Sequence, residues 1–207
     1  LVFVHAGGDG NGAMLAMGVT TGTTKWSWKG DGPAYASPVV ADFGGTRQIV
    51  TQSQKHVIGL SLADGRLLWE IPLVTDYEQN SVTPIVVKDL VIYAGLNKPT
   101  TAARVSVAAG KWQISTVWQN PDLPMYMSTP VESGGYLFGL TNRNRGQFFG
   151  LDLGSGKTMW ATKGREAENA AFLTAGNLVM AMTTEGELVV MRGNPKAFDV
   201  VKRYTLA

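Results

Sequence analysis

The sequence predicts an all-β propeller built from four-stranded antiparallel blades, and three observations carry that prediction. One block recurs four times, as AMGVTTGTTKW (16–26), GLSLADGRLLW (59–69), RVSVAAGKWQI (104–114) and GLDLGSGKTMW (150–160). Its glycines, Gly22, Gly65, Gly110 and Gly156, stand 43, 45 and 46 residues apart. Ser37-Pro38, Thr83-Pro84 and Thr129-Pro130 run in phase with the block, their prolines 46 residues apart twice. Finally, each interval holds short apolar or β-branched runs parted by Gly or Asp turns, the pattern of an antiparallel meander. A period in the forties with several strands per copy signals stacked repeat units, since a lone meander leaves both faces wet.

The second copy reads most plainly. SPVVADF (37–43), RQIVTQSQ (47–54), HVIGLSL (56–62) and RLLWEIPL (66–73) are four strands separated by Gly44-Gly45, a short polar link and Ala63-Asp64-Gly65. The third copy gives VTPIVV, LVIYAGL, ARVSVA and a longer outer segment ending at Trp118. The fourth gives STPVES, YLFGLTN, GQFFGLDL and KTMWATK. The fifth, AAFLTAG, NLVMAMT, ELVVMRG and VVKRYTL, loses both proline and tryptophan. The first has three strands, LVFVHA, AMLAMGV and TTKWSW, without an innermost one. Blades are therefore expected over about 1–30, 36–73, 81–119, 127–163 and 168–207 of a single domain. These five are expected to be part of a seven- or eight-bladed propeller, because an open array leaves sheet edges and an apolar blade face uncovered.

Composition agrees with this reading and narrows function. Hydrophobic residues make up 44% of 207, charged residues only 16%, and 25 are glycine. That balance suits many short strands and tight turns, not helices or disorder. A net charge of +2 supplies no field for nucleic acid or anionic lipid. There is no cysteine, which excludes disulfides and thiolate metal sites. No apolar run reaches the length of a membrane-spanning helix.

The repeated residues read as scaffold. Each glycine permits the left-handed turn between third and fourth strands. Trp26, Trp69 and Trp160 follow their glycines by four residues and Trp118 by eight, as wedges between neighbouring blades. The prolines open inner strands, where a missing N–H is tolerated.

Leu151, Asp152, Gly156, Lys157 and Trp160 resemble the pyrroloquinoline-quinone (PQQ)-type propeller repeat, Ala-x-Asp-x-x-Thr-Gly-Lys-x-x-Trp, and Leu60, Gly65, Arg66 and Trp69 follow it closely. Met17, Thr21, Gly22 and Trp26 match less well, and the third copy least. Within that family the chain resembles the non-catalytic, outer-membrane-assembly lipoprotein scaffolds more than the quinoprotein dehydrogenases. The resemblance implies a bacterial protein exported to the periplasm or cell surface, protein partners, no catalytic residue and no cofactor. Dehydrogenases of the family commonly set an adjacent cysteine pair against PQQ and calcium, and this chain has no cysteine. Two alternatives stay open: a fragment of a PQQ- and calcium-dependent dehydrogenase, with Glu78 or Glu166 as acidic ligands, and the sensor propeller of a larger signalling protein such as a kinase.

Strand alternation places the blade-to-blade loops and the second-to-third-strand loops on one face, and loops carry binding residues more often than strands. On that face the candidate contact residues are Tyr35, Asp76, Tyr77, Glu78, Asn80, Tyr126, Asn142, Arg143, Arg145, Arg165 and Glu166. Tyr35, Tyr77 and Tyr126 are expected to form an aromatic rim. Arg143 and Arg145 flank Asn144, a spacing suited to gripping a phosphate or carboxylate. His5 and His56 lack the local partners of a metal site or triad and read as structural. GSGK (154–157) joins strand to strand, with no helix to make it a phosphate loop.

Overall fold

The computed structural model describes residues 1–206, and among these nineteen strands form five antiparallel sheets. The first sheet has three strands, β1 (Val2–Gly8), β2 (Asn11–Met17) and β3 (Thr24–Gly30). The second has β4 (Val39–Phe43), β5 (Thr46–Gln52), β6 (His56–Ser61) and β7 (Leu67–Pro72). The third has β8 (Ile85–Val87), β9 (Leu90–Tyr93), β10 (Thr100–Ala108) and β11 (Lys111–Asn120). The fourth has β12 (Val131–Ser133), β13 (Tyr136–Thr141), β14 (Gln147–Asp152) and β15 (Thr158–Ala161). The fifth has β16 (Ala170–Ala175), β17 (Leu178–Thr183), β18 (Glu187–Arg192) and β19 (Asp199–Thr205). Strand order follows sequence order in every sheet, so each is a simple meander, the unit of a β-propeller blade. Pro38, Pro84 and Pro130 each directly precede the first strand of a sheet, as expected.

The middle strands β5, β6, β9, β13 and β14 are buried almost throughout. Both faces of these sheets are covered, which removes the in–out alternation that a half-exposed strand shows. By contrast β2 alternates strictly, with Met14 and Ala16 fully buried.

By packing, the chain divides into two compact units, Leu1–Leu96 with Ala103–Thr116, and Asn97–Ala102 with Val117–Ala207. The first unit holds two apolar clusters. One gathers Phe43, Val57, Trp69, Val91, Tyr93 and Val105. The other gathers Met14, Ile49, Ile58 and Leu60 beneath Phe3 and Trp26. The second unit packs Phe138, Phe148, Phe172, Val179 and Val189 together, with Trp160 and Phe198 against them.

The repeat motif explains how successive sheets are joined. Trp26 Nε1 donates to Leu62 O at 3.0 Å, Trp118 Nε1 to Leu153 O at 2.8 Å, and Trp160 Nε1 to Asn194 O at 2.9 Å. In each case the acceptor lies just beyond a strand of the next sheet, after β6, β14 and β18. The ring of Trp26 covers Gly65, and that of Trp118 covers Gly156. A Cβ on either glycine would lie 2.4 Å from ring atoms. The repeat glycine is thus a flat seat for the preceding sheet's tryptophan as well as a left-handed turn residue. Trp69 behaves differently. Its Nε1 donates to Gln48 Oε1 within its own sheet, at 2.6 Å. The third sheet turns through only Ala109-Gly110, at φ 50° and 73°, in place of the longer Ala63-Asp64-Gly65 turn. The turns themselves are capped as their residue types suggest. Asp152 Oδ1 accepts from Ser155 N and Oγ at 2.8 and 2.6 Å, and Asp64 Oδ1 accepts from Arg66 N at 3.2 Å.

Hydroxyls beside the prolines add a second seam. Thr83 Oγ1 accepts from Ser37 N at 3.1 Å, and Ser128 Oγ accepts from Ala170 N at 3.0 Å.

Candidate functional site

Meander alternation brings the inter-sheet loop and the second-to-third-strand loop to the same end of each sheet. In the second unit these loops enclose a hollow of about 750 Å³ lined by Tyr126, Met127, Asn142, Arg145, Arg165, Glu168 and Asn169. Tyr126 and Met127 come from the segment before Thr129-Pro130. Asn142 and Arg145 come from the β13–β14 connection, where Arg143–Arg145 forms one turn of 3-10 helix. Asn144 and Arg145 are left-handed there, at φ 49° and 64°. The turn closes on Gly146, whose φ is 113° and where a Cβ would lie 1.6 Å from Ala167 O. Only glycine lets the 164–169 loop dock there, with Glu166 N donating to Gly146 O at 2.8 Å.

Electrostatics of this hollow are mixed. Arg165 Nη2 donates to Glu185 Oε1 at 2.5 Å, which also accepts from Glu168 N at 3.1 Å. Burial pushes the Glu185 carboxyl up, but bonds from Thr184, the Glu168 N–H and Arg165 outweigh it and hold the carboxyl below its ordinary value. Arg165 is therefore fixed in direction, beside exposed Arg145 and the Glu168 carboxylate. An aromatic, a methionine, two arginines and two amides suit contact with a protein surface.

The remaining candidates separate. Arg143 does not join Arg145 in an anion grip. It donates to Asp122 Oδ1 at 2.8 Å and lines another hollow, of about 440 Å³, with Asp122 and Asn144. Neighbours in a one-turn helix project apart, so the i, i+2 spacing does not converge. Glu166 binds Arg203 Nη2 at 2.6 Å, and Glu187 takes the other nitrogen at 2.8 Å. Burial would lower the Arg203 value, but the two carboxylates outweigh it and raise it. Glu166 is thus committed to an internal ion pair.

In the first unit Tyr35, Tyr77 and Glu78 line a hollow of about 300 Å³ with Gly7, Gly8, Asp9, Pro33, Ala34 and Gln54. Asp76 lies in the same 3-10 turn, Asp76–Glu78, but not in the hollow's wall. Asn80 is not a contact residue. It is fully buried, and its Nδ2 lies 2.8, 3.1 and 2.9 Å from the Ser53, Gln54 and Leu73 carbonyls. The loop carries it back against the residues that follow β5 and β7.

Some residues that build the loops escaped sequence reasoning. Asp9 lies in the β1–β2 connection and Gln54 in the β5–β6 connection, and with the innermost strand of the first sheet missing, strand order alone would have pointed to both. Asp31 joins both histidines: His5 Nε2 lies 2.9 Å from Asp31 O, and His56 Nδ1 lies 3.1 Å from Asp31 Oδ2. Ser53 Oγ donates to the same Oδ2 at 2.7 Å. Serine thus binds the carboxylate directly, and no hydroxyl–imidazole–carboxylate order is formed.

A quinone held by calcium needs convergent oxygen donors. Among the described residues no three His, Asp or Glu side chains group as metal ligands. Glu78 pairs with Lys55 at 3.4 Å, and Glu166 pairs with Arg203. These residues do not fit that group. No helix among the described residues is long and apolar enough to cross a membrane.

Sequential meanders, one of three strands and four of four, tryptophans seated on the next sheet's glycine turn and polar loops at one end define a β-propeller of PQQ-like repeats. Residues 1–162 match the family described as outer membrane protein assembly factor BamB, and the chain belongs to that family. Among solved structures, BamB from Moraxella catarrhalis superposes with a TM-score of 0.66 at 15% identity, over 93% of this chain and 58% of that one. A europium-containing methanol dehydrogenase superposes with a TM-score of 0.59 at 12% identity, over 98% of this chain and 49% of that one. At such identities the likeness is one of fold, and the chain spans about half the length of these neighbours. No curated protein sequence matches it significantly.

Proposed function

We propose that this chain is a non-enzymatic propeller scaffold, one domain whose loop face binds a protein partner outside the cytoplasm, in the assembly of outer-membrane proteins. The observation that carries the reading is the hollow of Tyr126, Met127, Asn142, Arg145, Arg165, Glu168 and Asn169. Its aromatic and arginine content matches protein interfaces, where such side chains supply most of the binding energy. Membership of a family described as an assembly factor supports the same reading. The competing reading, a quinone-dependent dehydrogenase, rests on a fold likeness at 12% identity.

A photoreactive residue at Tyr126 of the full-length protein tests the reading in the native cell envelope. A discrete cross-link to an envelope protein is expected from Tyr126, and none from Asn177, in a turn at the opposite end of its sheet. Arg165→Glu should weaken that cross-link strongly. Oxidation of alcohols by the purified protein with PQQ and calcium, or equal cross-linking from both positions, would sink the proposal.

A further inference from the structure

We infer that the hollow lined by Tyr35 and Tyr77 binds an organic cation, an ammonium or guanidinium group carried by a peptide side chain or a small molecule. The inference rests on the reading that these loops bind, and its test fails separately from that reading. Tyr35 is 72% exposed and Tyr77 86%. Single exposed aromatics are ordinary, but these two, 42 positions apart in the chain, line one hollow of about 300 Å³. The face of a tyrosine ring attracts cations through its quadrupole. No lysine or arginine stands in the wall, whereas two carboxylates, Asp9 and Glu78, do.

Both carboxylates are placed for the task. Gln54 Nε2 donates to Asp9 Oδ1 at 3.1 Å, and Gln54 Oε1 accepts from Gly10 N at 3.0 Å. The amide thereby fixes the Asp9 loop from outside the chain segment that carries it. Among the described residues Glu78 pairs with Lys55, at 3.4 Å, with side chains 35% and 45% exposed. Such a surface pair is weak and screened, so an arriving cation held by two rings can replace Lys55.

The backbone points the same way. Tyr77 and Glu78 are both left-handed, at φ 62° and 54°. Consecutive non-glycine residues rarely adopt that conformation, and such strain gathers at ligand-binding turns. Here it presents the Tyr77 ring and the Glu78 carboxylate from adjacent positions. The wall itself carries no lysine or arginine, and Lys55 beside it is already paired with Glu78, in contrast to the arginine-bearing hollow of the second unit.

The test is a ¹H–¹⁵N titration of the full-length protein with tetramethylammonium chloride and, separately, with Nα-acetylarginine amide, using sodium chloride as control. Saturable shifts at Tyr35, Tyr77 and Glu78 are expected with at least one organic cation and not with sodium. Saturation by arginine amide alone assigns a peptide side chain, and saturation by tetramethylammonium alone assigns a small quaternary ligand. Tyr77→Gly removes the ring while keeping a residue at ease with a left-handed backbone, and should weaken binding roughly five-fold or more. Glu78→Gln should weaken it less, and Tyr126→Ala should leave it unchanged. The absence of saturable shifts, or an unaltered titration in Tyr77→Gly, overturns the inference, while cross-linking from Tyr126 is decided independently.

Discussion

Asp31 shows how one carboxylate can organise a loop. Its Oδ2 accepts from Ser53 Oγ at 2.7 Å and Lys55 N at 2.7 Å and lies 3.1 Å from His56 Nδ1, while its Oδ1 accepts from Gly32 N at 2.9 Å. Burial raises the Asp31 carboxyl, but these bonds outweigh it and hold the carboxyl below the ordinary 3.8. A carboxyl depressed in the folded state contributes stability that is complete above pH 3.8 and is lost as pH falls through its folded value. His5 acts at higher pH. Burial lowers its value below 6.5, against the pull of Asp31. The unfolded chain therefore takes up that proton first, and stability falls as pH drops below 6.5. Melting temperature measured against pH should decline in two stages. Asp31→Asn should shrink the lower stage, to which the depressed Glu185 carboxyl also contributes, and cost about 1–3 kcal/mol near neutrality, because hydrogen bonds to a charged acceptor are lost. An unchanged acid limb in that variant would refute the assignment. The sequence did not reveal this network, since Asp31 and its side-chain partners lie 22 and 25 positions apart and no local spacing links them.

At the scale of elements, the turn of one sheet is the seat of another sheet's tryptophan. Gly65 is left-handed at φ 74°, and a Cβ there would lie 2.4 Å from the Trp26 ring. Gly65→Ala should therefore combine left-handed strain with overpacking and cost about 2–5 kcal/mol in urea unfolding. Gly22 shares the conformation but faces open space, so Gly22→Ala should cost only about 1–2 kcal/mol. Equal losses in the two variants would mean that the seat contributes nothing. The two-residue turn of the third sheet makes an opposite prediction. Ala109 is left-handed at φ 50° ahead of Gly110, a conformation that favours Asn-Gly. Ala109→Asn should stabilise by about 0.5–1 kcal/mol, read as a higher urea midpoint at constant slope. Much of this level was legible in the sequence. The glycine, tryptophan and proline spacings located the strands, because each residue type serves a fixed local geometry. The seating of Trp26 on Gly65 was not legible, because it joins copies and not neighbours. Trp69 departs from the pattern: a Cβ on Gly110, the next sheet's repeat glycine, would meet nothing within 4 Å, so no ring is seated there.

For the molecule as a whole, what the sequence conveyed about the site was its end of the sheets, not its membership. Polar loops had to lie there by strand alternation, and Tyr126, Asn142, Arg145 and Arg165 do line one hollow. Which of their neighbours turn inward was decided by packing, as the buried Asn80 and the ion-paired Glu166 demonstrate. Packing also governs how stability is distributed. In repeat folds, stability is close to a sum of unit and nearest-neighbour terms. Phe148 is fully buried among Phe172 and Phe198, with ring centroids 6.0 and 5.5 Å away. Both partners belong to the second unit's cluster. The first unit's residues Phe43, Trp69, Val91 and Tyr93 form a separate cluster. Phe148→Ala should cost about 3–5 kcal/mol locally, the range for removing a buried phenylalanine ring. Native-state hydrogen exchange should show that loss in β13, β14, β17 and β18, while β5 and β6 keep their protection. If protection fell equally in all six strands, the chain would unfold as one cooperative block, and the additive account of its stability would fail.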